Sequence, residues 1–177
     1  MMLHFLLPAL YSLIFLYTYR SPILFGEFVG GVYIGFGLLF LDRLLHVFYI
    51  EGETEFSMML KDLWRKKDFK NVFRALFLAG TLQERLITRS IYFLIAYTAT
   101  ALFVITSTGS VIGTGIILGI GLHYCFDFYV YQRNLDLLHK HFLWQIKKQF
   151  AQQEVHSLFL GLCVFFLLLT LLVFAGR

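Results

Sequence analysis

Proline and cysteine are scarce in this chain of 177 residues, at two each, and only 15% of its positions are charged. With breaks only at Pro8 and Pro22, nearly the whole sequence is free to run as helix. Cys125 and Cys163, both inside apolar runs, can supply neither a disulfide framework nor a CxxC metal pair, and read as small buried hydrophobes. Also missing are HExxH, GxSxG, a Walker loop and any Cys/His set of zinc-finger spacing, which removes the strongest sequence signatures of catalysis and nucleotide binding.

What is present is apolar. Hydrophobic residues make up 59% of the chain and aromatics 19%, in runs near the roughly 20 residues that cross a bilayer. The pattern predicts an all-α, single-domain polytopic membrane bundle with about five transmembrane helices, at residues 2–18, 23–48, 90–107, 111–131 and 157–175. The N-terminal stretch has neither a basic n-region nor a small-residue cleavage motif, so it reads as a retained span.

Two charged segments, 51–88 and 132–156, interrupt the apolar pattern. In the first, Leu60, Leu63, Trp64, Val72, Phe73, Leu76 and Phe77 recur at helical spacing, predicting a helical hairpin against the membrane. Asp68 is its expected inner N-cap, Gly80 a C-cap, and Thr81 to Glu84 a capping box for the next helix. In the second, Leu135, Leu138, Phe142, Ile146 and Phe150 predict an interfacial amphipathic helix after a bend near Asn134, with His139 and His141 on its solvated face.

The loop from Glu51 to Arg89 carries eight Lys/Arg and the segment from Gln132 to His156 four, against Arg20 and Arg177 on the opposite side. The positive-inside rule then predicts a bacterial inner-membrane protein with both segments and the N-terminus cytoplasmic and the C-terminus outside. Topology and anionic lipid headgroups account for the net charge of +4, and without a recognition motif it does not indicate nucleic acid.

The chemistry-bearing residues sit inside the spans. Asp42 and His46 lie four apart in one, His123 and Asp127 four apart in another, and ionisable groups in hydrocarbon need partners or water. Gly31 and Gly35 precede the first pair, Gly115 and Gly119 the second, on faces where small residues let helices approach closely. If the two spans run parallel and adjoin, Asp42 is expected to face His123, and His46 to face Asp127.

Three readings of this set stand open. The pairs can fix helix register, with Arg43 neutralising a spare carboxylate. They can ligate a divalent transition metal, zinc, iron or manganese, with Glu51 as an extra ligand, for metal-activated hydrolysis of an ester at the cytoplasmic leaflet. They can relay protons or ions, with Glu27 as the other port. A non-catalytic scaffold or subunit that binds a membrane-protein partner, or a second copy, through its glycine faces and amphipathic segments is the alternative to catalysis.

The stretches LDRLLHVFYIEGETEFS, residues 41–57, and TSTGSVIGTGIILGIGLHYCFD, residues 106–127, resemble a family of small multi-pass membrane proteins from bacteria with reduced genomes, which carries no assigned activity. The G-x3-G-x3-H-x3-D run from Gly115 to Asp127 is similar to a transmembrane motif of membrane-bound metal-dependent hydrolases. That second resemblance implies a metal role for His123 and Asp127. The chain lacks the upstream histidine-arginine and threonine-histidine-serine signature of those hydrolases.

Overall fold

The computed structural model describes residues 2–50, 52–78 and 86–176. The described residues are helical, with no strand among them. In chain order the helices are α1 (Met2–Leu13), α2 (Pro22–Leu45) continued by a π-helical turn (His46–Ile50), α3 (Glu55–Arg65), α4 (Phe69–Leu78), α5 (Ile91–Ser107), α6 (Val111–Tyr131), α7 (Leu135–His141) and α8 (Gln152–Ala175).

Three helical stretches are long and apolar enough to cross a membrane: Pro22–Ile50, Val111–Tyr131 and Gln152–Ala175, with mean hydropathies of 1.8, 1.5 and 3.0. The other two expected spans are shorter helices. α5 has 17 residues. α1 has 12, about 18 Å at the usual rise, because tight i to i−3 turns over Ile14–Leu16 replace the rest of the predicted 2–18 helix. Pro22 starts α2, where its missing N–H costs no hydrogen bond.

Helix α6 is the centre of the bundle and is buried along most of its length. It lies parallel to α2, in contacts that run from Phe28 against Gly115 through Val32 against Gly119 to Phe36 against His123. A Cβ on Gly31, Gly35, Gly115 or Gly119 would overlap a backbone carbonyl of the facing helix. All four predicted glycines are therefore spent on one backbone-to-backbone seam. α8 runs antiparallel to α6, and α1 closes one end, where Tyr11, Phe15, Tyr19, Phe28 and Phe174 gather and the Tyr11 hydroxyl meets Thr170 Oγ1 at 2.9 Å.

At the other end α3 and α4 form the expected hairpin. Thr54 caps α3 through the Ser57 N–H, and Asp68 caps α4 through the Asn71 N–H. The turn between them places Lys67 at φ 57°, with the Asp68 N–H on the Leu63 carbonyl, a Schellman-type stop. Leu60, Val72 and Leu76 pack with Val47 beneath the end of α2. The expected cap at Gly80 and capping box at Thr81–Glu84 lie outside the described residues.

The segment 132–156 departs from its prediction. Asn134 does make the bend, capping α7 through the Leu137 N–H, but α7 stops after seven residues. Phe142 and Leu143, past the end of α7, are both buried. Phe142 packs on Phe128 at 4.5 Å and lies against Tyr124 and Tyr131, so the chain tucks under α6. His141, expected in solvent, is fully buried, with Nδ1 on the Leu137 carbonyl and its ring stacked on Tyr131.

Candidate functional site

The glycine seam sets where the ionisable residues fall. His123 lies level with Phe36, stacked on its ring at 4.4 Å with Nδ1 donating to its carbonyl at 2.5 Å. Asp42 is six residues further along α2, about 9 Å by helical rise, so the expected facing of Asp42 and His123 does not form. Backbone contact at the glycines outranked side-chain pairing in fixing the register.

Both aspartates instead turn to one short segment, the residues just before α5. Asp42 Oδ2 accepts from the Thr88 N–H at 2.9 Å and from the Thr88 hydroxyl at 2.8 Å. Asp127 Oδ2 accepts from Arg89 Nε at 2.6 Å. The Tyr124 hydroxyl donates to the Thr88 carbonyl, and Ser90 caps α5 through the Phe93 N–H. Consecutive residues of one turn are thus gripped from α2 and from α6. Asp42, Asp127, Arg89 and His123 are each at most 4% exposed.

His123 Nε2 stands 3.4 Å from Asp127 Oδ2 and 3.5 Å from Arg89 Nη2. With Nδ1 holding a proton for the Phe36 carbonyl, a neutral ring accepts from Arg89 at Nε2, and a protonated ring donates to Asp127. His46 is buried where α2 passes into the π-helical turn, beside Val47 of the hairpin cluster. Arg43, also buried, donates from Nη1 to the Leu76 carbonyl at 2.8 Å and lies against the Tyr131 hydroxyl, tying α2 to α4 and to the end of α6.

Sequence reasoning missed Arg89 and Thr88. Arg89 was counted among the basic residues that orient the chain, yet it is the largest fully buried side chain among the described residues. A signal was available in the charges. Two carboxylates at Asp42 and Asp127 with one arginine, Arg43, leave one negative charge over, and a second buried cation is the ordinary remedy.

A metal fits these contacts poorly. The Arg89 guanidinium brings a fixed positive charge onto the Asp127 oxygen that a cation would use, and Asp42 is directed at Thr88. Among the described residues, no three His, Cys, Asp or Glu side chains converge as a metal-holding group. Glu51 lies outside the described residues.

Comparison with protein-family models, curated proteins and solved structures finds no match to this chain.

Proposed function

We propose that this chain is a non-catalytic integral membrane protein, a scaffold or small subunit, in which the Asp/His set and Arg89 form an internal clamp. One observation carries the reading: Asp42 of α2 and Asp127 of α6 hold consecutive residues, Thr88 and Arg89. The acidic groups are engaged in joining helices, so the surfaces left for function are outward ones. The hairpin α3–α4, with Lys66, Lys67 and Lys70, and the 132–151 segment with Lys147 and Lys148 are the faces suited to anionic headgroups or a partner.

In this reading α1 and α5 complete a five-span arrangement in a bacterial inner membrane. Parallel α2 and α6 support the orientation, since both basic segments then emerge at the same end, the cytoplasmic one by the positive-inside rule. Gly31, Gly35, Gly115 and Gly119 are used internally, and a partner helix would meet Gly26, Gly30, Gly37 or Gly161, whose Cβ positions are open.

The metal-hydrolase reading keeps one supporting contact, His123 with Asp127. Elemental mass spectrometry of detergent-purified protein, beside His123→Ala and Asp127→Asn, separates the two. The clamp reading expects lower unfolding temperatures in both variants with metal content unchanged from wild type. About one equivalent of zinc, iron or manganese in wild type, lost in both variants, would overturn it in favour of a shared metal site.

A further inference from the structure

The antiparallel contact between α6 and α8 has a register that can be read from its ends. On one side Gly121 lies directly against the Phe166 ring, so closely that a Cβ would overlap it. On the other, the rings of Tyr129 and Phe159 sit 6.4 Å apart. Midway between them, one turn on along α6 and one turn back along α8, stand Cys125 and Cys163. That register sets the two cysteines facing each other across the α6–α8 contact, and both are free.

We propose that Cys125 and Cys163 are a redox-active dithiol within the apolar part of the bundle, which closes to an interhelical disulfide when a lipid-soluble quinone oxidises it. Both cysteines are partly exposed, so the pair is reached from the apolar surroundings. Cys125 is six residues in from Tyr131, about 9 Å along α6. Quinones dissolve in that layer. Both S–H bonds break as the S–S bond forms, releasing two protons and two electrons, and the quinone takes up all four to become the hydroquinone.

Position gives the bond a purpose. α8 is the least buried of the three long apolar helices, held to α6 by ring packing and few polar contacts. A disulfide at the centre of this contact ties it to the bundle and restricts any sliding of α8 against α6. Reduction restores that freedom.

The test uses the full chain in lipid vesicles with tetramethyl-benzoquinone, whose fully substituted ring resists thiol addition. Expected are an intact mass lower by two hydrogens, a proteolytic fragment joining the Cys125 and Cys163 peptides, a monomeric band without reductant, and reversal by dithiothreitol. Cys125→Ser and Cys163→Ser should each abolish the product while leaving the unfolding profile of the reduced protein in place. Full alkylation of both thiols after quinone treatment and denaturation would overturn the proposal. So would a disulfide formed mainly between two copies. Because these readouts come from wild type, they hold even if a serine variant fails to fold.

Discussion

Arg89 and Asp127, 38 residues apart in sequence, meet through Nε and Oδ2 at 2.6 Å with both side chains almost wholly removed from solvent. Taking two charges out of water costs several kcal/mol each, and only close, hydrogen-bonded contact offsets that cost. The pair joins the start of α5 to the central helix. Breaking it from one side leaves a buried charge alone.

Arg89→Ala or Asp127→Asn should therefore destabilise the protein by about 3–5 kcal/mol in detergent or bicelles, whereas Arg89→Met with Asp127→Leu should cost clearly less. Unfolding curves for Arg89→Met, Asp127→Leu and the double form a mutant cycle that isolates the pair. Additive single costs would show that the two side chains act separately.

At the glycine seam the expectation divides by position. Gly35→Ala and Gly119→Ala put a methyl into the facing backbone and should each cost about 1–3 kcal/mol as the helices part. Gly30→Ala and Gly37→Ala, with open space around the added atom, should be neutral or stabilising by about 0.5–1 kcal/mol. Equal effects at all four sites in a thermal-shift series would contradict the seam.

Asp42→Ala should leave the Thr88 N–H and hydroxyl without their acceptor, at a cost of about 1–3 kcal/mol for the buried donors. Thr88→Val removes only the hydroxyl contact and should cost about 1 kcal/mol. Hydrogen exchange gives a second reading, since the Thr88 amide should lose protection in Asp42→Ala and keep it in Thr88→Val.

Lys67 holds a left-handed backbone at φ 57°, which an L-residue adopts at a cost of roughly 1–2 kcal/mol and glycine adopts freely. Lys67→Gly should raise hairpin stability by up to about 1 kcal/mol, after the unfolded-state entropy of glycine is offset. A fall in unfolding temperature would show that the lysine side chain contributes more than its backbone costs.

Apolar runs, capping residues and the small-residue spacing of α2 and α6 were all legible in the sequence. Asp68 caps where it was expected, because an N-cap depends only on a residue and its next three neighbours, and the bend falls at Asn134 as expected; the Ser90 cap of α5 was not foreseen. The site was legible only in part. Asp127 and His123 were identified from their spacing on one helix, but their partner Arg89 comes from a distant turn and looks like any other arginine of a basic loop. The 132–151 segment misled for a related reason: helical spacing of Leu135, Leu138 and Phe142 says nothing of the space beneath α6, which draws in Leu143 and His141 as well.

The α2–α6 seam also has a consequence in time. Parallel neighbours cannot be joined by a tight turn, so the chain makes its hairpin and α5 before α6 appears. From Leu45 to Tyr131 a ribosome working at roughly 5–20 residues per second needs about 4–17 s. Throughout that interval Gly31 and Gly35 face no partner, and for much of it Asp42 has no Thr88 to bind. Until α6 emerges, the α2 face that carries these residues therefore stays uncovered by its partner helix.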